Sequence, residues 1–201
     1  MAGTSGTSGA HPDAAISRQV RHVESLLEKR GIVAGAVLDE ALDAFLAGSS
    51  PLNGARVVAR AWTDPAFRER LLADGTSAVA ELGYAAGGVQ PQRLRVVENT
   101  AHTHNVVVCT LCSCYPVRLL GPSPSWYKSE AYRSRVVREP RAVLAEFGYV
   151  VASGTEITVW DSSAETRYMV LPRRPAATEA LSEAELAALV TRNALIGTAE
   201  L

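Results

Sequence analysis

The chain has 201 residues, a formal net charge of −1 and 47% hydrophobic residues, a composition that suits a globular protein able to bury its own core. The balanced charge gives no electrostatic basis for binding nucleic acid or an anionic membrane surface, and no apolar run reaches the length of a membrane span. Residues 1–15 are rich in Gly, Ser, Thr and Ala and lack the pattern of a signal peptide, so we interpret them as a disordered tail of a cytoplasmic protein.

Hydrophobic spacing predicts two helices after this tail. Apolar residues recur at helical spacing from Ile16 to Leu27, before Gly31, and again from Val37 to Phe45. We interpret residues 16–50 as a helical arm. A two-helix arm has little of its own to pack against, which favours docking on a partner subunit.

Three more helices are predicted at the start of the domain that we place at residues 51–201. Asn53 is the candidate N-cap of the first, and Asp64 followed by Pro65 begins the second. The third runs from Thr76 to Leu82.

The pattern changes from helical spacing to β-branched runs beyond Leu94. The runs 94–97 and 106–108 predict strands, and the second strand places Cys109 at its end. The prolines from Pro116 to Pro124 predict an irregular, stiff loop.

The last third of the chain mixes helices and strands. A helix is predicted from Pro140 to Phe147, two strands at 156–160 and 167–171, and a final helix begun by a capping box of Ser182 and Glu185. A helical first half followed by a region of mixed strands and helices indicates an α+β fold.

All three cysteines of the chain lie within six residues, in the order Cys109-Thr110-Leu111-Cys112-Ser113-Cys114. Thiolates are soft ligands for transition metals, and they are also the form of cysteine that oxidises readily. The spacing therefore indicates a metal site or a redox site. A metal held by Cys112 and Cys114 would lie close to the amide nitrogens of Ser113 and Cys114.

The spacing alone leaves the metal open. Zinc sites usually have four ligands, which His102 and His104 could help to supply, and iron–sulfur clusters usually need four cysteines. A disulfide is disfavoured because the number of cysteines is odd and the loops would be very small.

The residues around the cysteines resemble a known family. The stretch from Val106 to Pro116 resembles the metal-binding claw of the nitrile hydratase alpha subunit, and the resemblance covers residues 18–201. It continues through segments such as 53–62, 126–129, 132–137, 139–141, 159–165, 167–172 and 186–192.

The resemblance implies a layered α/β/β/α core and a defined metal site. In the family, a trivalent cobalt or iron ion is bound by three cysteines and two backbone amides, which map onto Cys109, Cys112, Ser113 and Cys114. Cys112 matches a cysteine sulfinic acid and Cys114 a cysteine sulfenic acid. Thr110 and Tyr115 resemble the residues of the cobalt-type motif in the family. The resemblance therefore implies Co(III), with Fe(III) as the alternative.

The resemblance also implies catalytic residues for the conversion of a nitrile and water into an amide. Cys114 and Ser113 belong to the site, and Gln90 aligns with a glutamine that orders water. The nucleophile is either the sulfenate of Cys114 or a hydroxide activated by the metal, and the sequence does not choose between them.

Arginines of the beta subunit hydrogen-bond to the oxidised cysteines in the family. This chain has four arginines of its own that could act similarly, namely Arg133, Arg135, Arg138 and Arg141. We favour the interpretation that they form salt bridges or lie on solvated helix faces.

One departure from the family concerns the substrate pocket. The family commonly has Trp-Pro where this chain has Val117 and Arg118. Loss of the indole removes a large apolar wall, so we expect a pocket for a bulkier or more polar nitrile.

The resemblance implies partners and leaves two other functions open. The partners are a beta-type subunit, an activator or metallochaperone protein and a small nitrile. The first alternative is the catalytic subunit of the related thiocyanate hydrolase, for whose anionic substrate Arg118 would be suitable. The second is a non-catalytic apo or zinc form that acts only in assembly and metal transfer.

Overall fold

The computed structural model describes residues 12–84 and 92–201, and the chain separates after Phe45 into two compact units. Helix α1 (Pro12–Lys29) and most of α2 (Gly35–Ala47) form the first unit. Helix α1 begins inside the segment expected to be a tail, of which residues 1–11 lie outside the described part. The domain limits inferred from the sequence remain predictions.

Both helices of the first unit carry exposed apolar side chains. Ile16, Val20 and Val23 on α1 are more than half exposed, and no residue of α2 is buried. A helix of a globular protein normally buries such a stripe. The two helices therefore present an apolar surface of the kind that docks on another protein.

The second unit begins with three capped helices, α3 (Pro51–Thr63), α4 (Pro65–Ala73) and α5 (Gly75–Glu81). Asp64 caps α4 by accepting a hydrogen bond from Phe67 N, as the sequence predicted. Asp74 caps α5 in the same way through the amides of Thr76 and Ser77.

The prediction that Asn53 caps α3 was wrong. Ser50 is the N-cap and accepts from Leu52 N, because Pro51 already occupies the first helical position. Asn53 lies inside the helix, where its side chain donates to the carbonyl oxygens of Gly48 and Arg118 at 3.1 and 2.8 Å.

Four strands form two parallel pairs. Strand β1 (Arg93–Glu98) pairs with β4 (Thr166–Leu171), and β2 (Thr103–Val108) pairs with β3 (Glu156–Asp161). A tight turn reverses the chain between β1 and β2, with Thr100 N donating to Thr103 O at 2.9 Å. The carboxyl end of one pair therefore lies at the amino end of the other.

Six short helices complete the unit: α6 (Val117–Leu120), α7 (Ser125–Lys128), α8 (Glu130–Arg135), α9 (Pro140–Glu146), α10 (Glu183–Leu189) and α11 (Arg192–Ile196). The sequence predicted α9 and the capping box of Ser182 and Glu185 on α10, both of which are confirmed. The stiff loop expected from Pro116 to Pro124 instead contains α6. Helices α7, α8 and α11 were not predicted.

The helices pack on the two strand pairs to enclose one core. Helices α4 and α5 lie on β1, α11 lies on β4 and β2, and α9 lies on β3, while α3 packs against α6 and α10. The buried aliphatic and aromatic side chains come from nearly all of these elements. Within the described ranges, no helix has both the length and the apolar character needed to cross a bilayer.

The turn after α11 depends on a glycine. Gly197 adopts a left-handed φ of +88°, and a Cβ added there would lie 1.9 Å from Asn105 O on β2. Only a residue without a side chain allows the helix end and the strand to approach this closely.

We expect Gly197→Ala to lower the free energy of unfolding by at least about 2 kcal/mol, since the left-handed conformation alone costs about 1–2 kcal/mol. Urea unfolding measures the change. Gly148→Ala is the matched control, because its φ is +83° but no atom lies within 4 Å of the added Cβ. Equal losses in the two variants would show that the approach to Asn105 is unimportant.

Candidate metal centre

The three cysteines lie on a loop (residues 109–114, the cysteine loop) at the carboxyl end of β2. Cys109 follows Val108 directly and is 1% exposed. Ser162 N donates to Val108 O at 2.7 Å, which extends the contact between β2 and the chain after β3 to the base of the loop. One end of the loop is therefore fixed in the core, while Cys112 is exposed and Cys114 is half-buried.

The loop gathers the three sulfur atoms on one side. The Sγ atom of Cys112 lies 3.5 Å from that of Cys109 and 3.4 Å from that of Cys114. The amide of Cys112 donates to the Cys109 sulfur at 3.3 Å. All three sulfurs lie within 4.8 Å of one another, so one ion could contact all of them.

The pKa values of Cys112 and Cys114 are shifted in opposite directions. Hydrogen bonds from the thiols of Cys114 and Cys109 lower the pKa of Cys112 to about 7, helped by the backbone amides of Ser113 and Cys114. Burial raises the pKa of Cys114, and the nearby Cys112 raises it further. Both amides thus face the sulfur of Cys112, the thiol that ionises before Cys114.

Thr110, the second residue of the loop, is held from two sides. Its amide and hydroxyl donate to the two carboxylate oxygens of Asp161 at 2.9 and 2.6 Å. Its carbonyl oxygen accepts from Arg133 Nη1 at 3.2 Å. Asp161 ends β3 and Arg133 lies on α8, so two separate elements fix the start of the loop.

Two buried tyrosines support the loop from beneath. The hydroxyl of Tyr127 donates to Cys114 O at 3.0 Å, and that of Tyr132 donates to Val107 O at 2.8 Å. Trp126 and Phe147 pack edge-on against one another at 4.6 Å beside these rings. Trp126 and Tyr127 both pack in the core, where Tyr127 is fully buried.

The other site residues predicted from the sequence have different surroundings. Ser113 is exposed at the tip of the loop, between Cys112 and Cys114. Val117 and Arg118 are half-buried in α6, three and four residues beyond Cys114, and the bond from Asn53 to Arg118 O ties this helix to α3. Gln90 lies outside the described residues.

His104 is not near the sulfur atoms. It lies five residues before Cys109 on β2, about 16 Å away at the rise of a strand. Its Nε2 lies 2.7 Å from Gly197 O, and burial lowers its pKa. His104 therefore serves as a structural hydrogen-bonding residue and does not join the sulfur atoms as the zinc ligand that the sequence left open.

Only Arg133 of the four candidate arginines contacts the cysteine loop. Arg135 pairs with Glu139 and Glu146. Arg141 donates to the backbone carbonyls of Val151, Ala152 and Thr155. The salt-bridge role expected for Arg135 is therefore confirmed, whereas the backbone contacts of Arg141 were not expected.

Sequence analysis missed the supporting residues Asp161 and Tyr127. Asp161 directly follows the strand predicted at 156–160, so its place at a strand end was visible. What placed it beside Thr110 was the parallel pairing of β2 with β3, in which Val108 is opposite Asp161. No local signal distinguished Tyr127 from any other core aromatic.

Within the described part of the chain, the donor set lacks the fourth ligand of a closed zinc site and leaves other transition metals open. Among the residues that the structure describes, the sulfur cluster has no fourth His, Cys, Asp or Glu ligand of the kind a closed zinc site needs. Three soft sulfurs with two amides beside them suit cobalt or iron. Cys109, Cys112, Ser113 and Cys114 are the residues that would hold the ion.

Solved structures with this fold define a class of enzyme subunit. The chain is similar to a double mutant of the Fe-type nitrile hydratase from Comamonas testosteroni Ni1, with a TM-score of 0.88 and 41% identity over 95% of this chain and 92% of that chain. It is also similar to a recombinant thiocyanate hydrolase with partially modified cobalt centres, with a TM-score of 0.85 and 38% identity over 95% and 90%. The expected α+β fold is thereby confirmed as that of nitrile hydratase and thiocyanate hydrolase subunits.

The sequence comparison narrows this class to one family. The family model described as nitrile hydratase, alpha chain, matches residues 14–199. The low-molecular weight cobalt-containing nitrile hydratase subunit alpha of Rhodococcus rhodochrous is 52% identical over 182 residues, 90% of this chain and 87% of that protein. The chain belongs to the nitrile hydratase alpha chain family and is a subunit of an enzyme of that family.

The metal-free cysteine loop gives a direct chemical prediction. In the reduced, metal-free chain we expect iodoacetamide to modify Cys112 before Cys109, because Cys112 is exposed and only the thiolate reacts. Its rate should rise with pH through about 7, the pKa of Cys112. Peptide mass spectrometry over a pH series measures both. Modification of Cys109 at the same rate as Cys112 would contradict the arrangement of the loop.

Proposed function

We propose that the chain is the metal-binding alpha subunit of a nitrile hydratase, which hydrates a nitrile to the amide at a non-corrin Co(III) centre. The observation that carries the proposal is the convergence of three sulfurs and the amides of Ser113 and Cys114 on one side of the cysteine loop. When bound, the trivalent ion supplies Lewis acidity towards the nitrile.

The burial of the three cysteines supports the proposed oxidation pattern. Cys109 is buried and shielded from oxidants, whereas Cys112 is exposed and ionises near neutral pH. We assign the sulfinic acid to Cys112 and the sulfenic acid to Cys114. The added oxygens need hydrogen-bond donors, which we assign to the partner subunit because Arg133 is engaged with Thr110 O.

Two features support cobalt over iron. Thr110 and Tyr115 resemble the cobalt type, and the Rhodococcus rhodochrous relative is named a cobalt-containing enzyme. The structure adds a role for the threonine, whose hydroxyl bonds to Asp161. Fe(III) is the alternative, since the similar Comamonas testosteroni structure is of the Fe type.

The residues of the chain have distinct roles in this proposal. Cys109 anchors the loop in the core, and Cys114, as a sulfenate, is the candidate nucleophile. Ser113 lies exposed between the oxidised cysteines, and Gln90 is assigned to ordering water by resemblance. We assign Val117 and Arg118 to the substrate pocket because α6 begins three residues after Cys114.

The proposal requires a partner. We assign a beta-type subunit to the exposed apolar stripes of α1 and α2, which need a covering surface. Metal insertion is assigned to an activator or metallochaperone protein. A cytoplasmic location is supported by the three cysteines, which are free thiols rather than disulfides.

Thiocyanate hydrolysis is the second candidate. It is supported by the similarity to a thiocyanate hydrolase structure and by Arg118, a cation four residues beyond Cys114 that suits an anionic substrate. A chain that contains zinc or no metal, and serves only in assembly and metal transfer, is the third.

Substrate assays distinguish these functions. Co-produced with a beta-type subunit in cobalt medium, the chain should convert nitriles to amides, and Cys114→Ser should reduce the rate by more than the about 100-fold typical of outer-shell changes. Chromatography detects the amide. Release of carbonyl sulfide and ammonia from thiocyanate, without amide formation from nitriles, would favour the second candidate. Inactivity towards both substrates with cobalt bound would exclude the first two.

Position 117 tests the proposed pocket. Val117→Trp restores the large indole wall, so kcat/KM should shift towards small aliphatic nitriles and away from bulky or polar ones. A panel of nitriles of increasing size measures the shift, with Val137→Trp, at an exposed valine of the same domain, as the control. An unchanged substrate profile would contradict the assignment of Val117.

A further inference from the structure

A second concave site lies at the carboxyl end of the other parallel strand pair. The segments that follow β1 and β4 line a cavity of about 550 Å³, which we call the β1–β4 end cavity. Its polar lining includes Asn99, Thr100, His104, Tyr149, Arg173 and Glu200. Because the two pairs run in opposite directions, the cavity lies at the amino end of β2, away from the cysteine loop.

Cavities in this position commonly bind ligands. In sheets of parallel strands, ligands bind outside the carboxyl ends, where the loops after the strands diverge. The cysteine loop occupies the carboxyl end of the β2–β3 pair. The volume of the β1–β4 end cavity lies in the range of small-molecule sites.

The cavity lining carries the positive charges of Arg173 and Arg174 and the negative charge of Glu200. Arg173 is exposed and Arg174 half-buried, and the ion pairs among the described residues involve other arginines. Arg174 is already bound to Thr178 O, Thr178 Oγ1 and Trp62 O at 2.7, 3.1 and 3.3 Å. Arg173 thus retains its guanidinium for a ligand, and Glu200 is the one acidic side chain among the cavity residues named above.

The floor of the cavity is rigid and polar. The His104 ring lies 4.8 Å from that of Tyr149, with Nε2 bonded to Gly197 O and Nδ1 3.2 Å from Asn99 Nδ2. The Tyr149 hydroxyl is 3.5 Å from the same Nδ1, too long for a strong bond. This hydroxyl can therefore donate to a ligand in the cavity.

We propose that the β1–β4 end cavity binds a small oxyanion, a carboxylate or a phosphate monoester, between the guanidinium of Arg173 and the hydroxyl of Tyr149. The planar guanidinium matches two oxygens of either group. The site is independent of the cysteine loop, so it stands whether or not the proposed function is correct.

Calorimetric titration of the full chain tests the proposal. Inorganic phosphate and acetate are added in separate arms at constant ionic strength, with chloride as the reference salt. We expect saturable binding of at least one of the two anions. Saturation by phosphate would indicate a phosphate monoester as the ligand class, and saturation by acetate would indicate a carboxylate. Arg173→Gln should weaken it about tenfold, the loss of one charge-assisted bond.

Two further variants keep the result interpretable. Tyr149→Phe retains the ring against His104 and should weaken binding by a smaller factor, while Arg138→Gln, at an exposed arginine on the loop between α8 and α9, should leave it unchanged. Circular dichroism checks that each variant is folded. No saturable binding of either anion, or equal affinity in Arg173→Gln and the unchanged protein, would overturn the proposal.

Discussion

The placement of Cys109 at the buried end of β2 is the constraint on which the site depends. The strand lies in the core and pairs in parallel with β3, so both chain segments leave the core at the same edge. This brings Asp161 beside Thr110 and fixes the first turn of the cysteine loop. The tyrosine hydroxyls on Cys114 O and Val107 O hold the loop and its strand from beneath. The sulfurs therefore converge because the backbone is fixed at several points.

The opposite directions of the two strand pairs separate two kinds of chemistry. One carboxyl end carries thiols, two of which are accessible to oxidation and ligand exchange. The other carries arginines after β4 and a cavity lined by Tyr149 and His104. The turn between β1 and β2 and the Gly197 contact with β2 connect these ends.

Much of the fold could be predicted because its signals are local. Capping by Asp64, the capping box at Ser182 and the β-branched strands each depend on neighbouring residues. Strand pairing is not local: β3 and β4 are consecutive, yet each pairs with a distant strand. The cap at Ser50 was missed because Asn53 is also a good capping residue, and Pro51 decided between them. The cluster of three cysteine sulfurs could be predicted from spacing and resemblance, whereas the contact of Asp161 with Thr110 required knowledge of the parallel register.

We propose that the cysteine loop matures into an oxidised cobalt centre. Metal analysis of the purified chain, combined with peptide mass spectrometry, measures both the metal and the oxidation of each cysteine. We expect about one cobalt per chain, two added oxygens on Cys112, one on Cys114 and none on the buried Cys109. Zinc or no metal, with all three thiols unmodified after production in cobalt medium with the partner subunit, would contradict it.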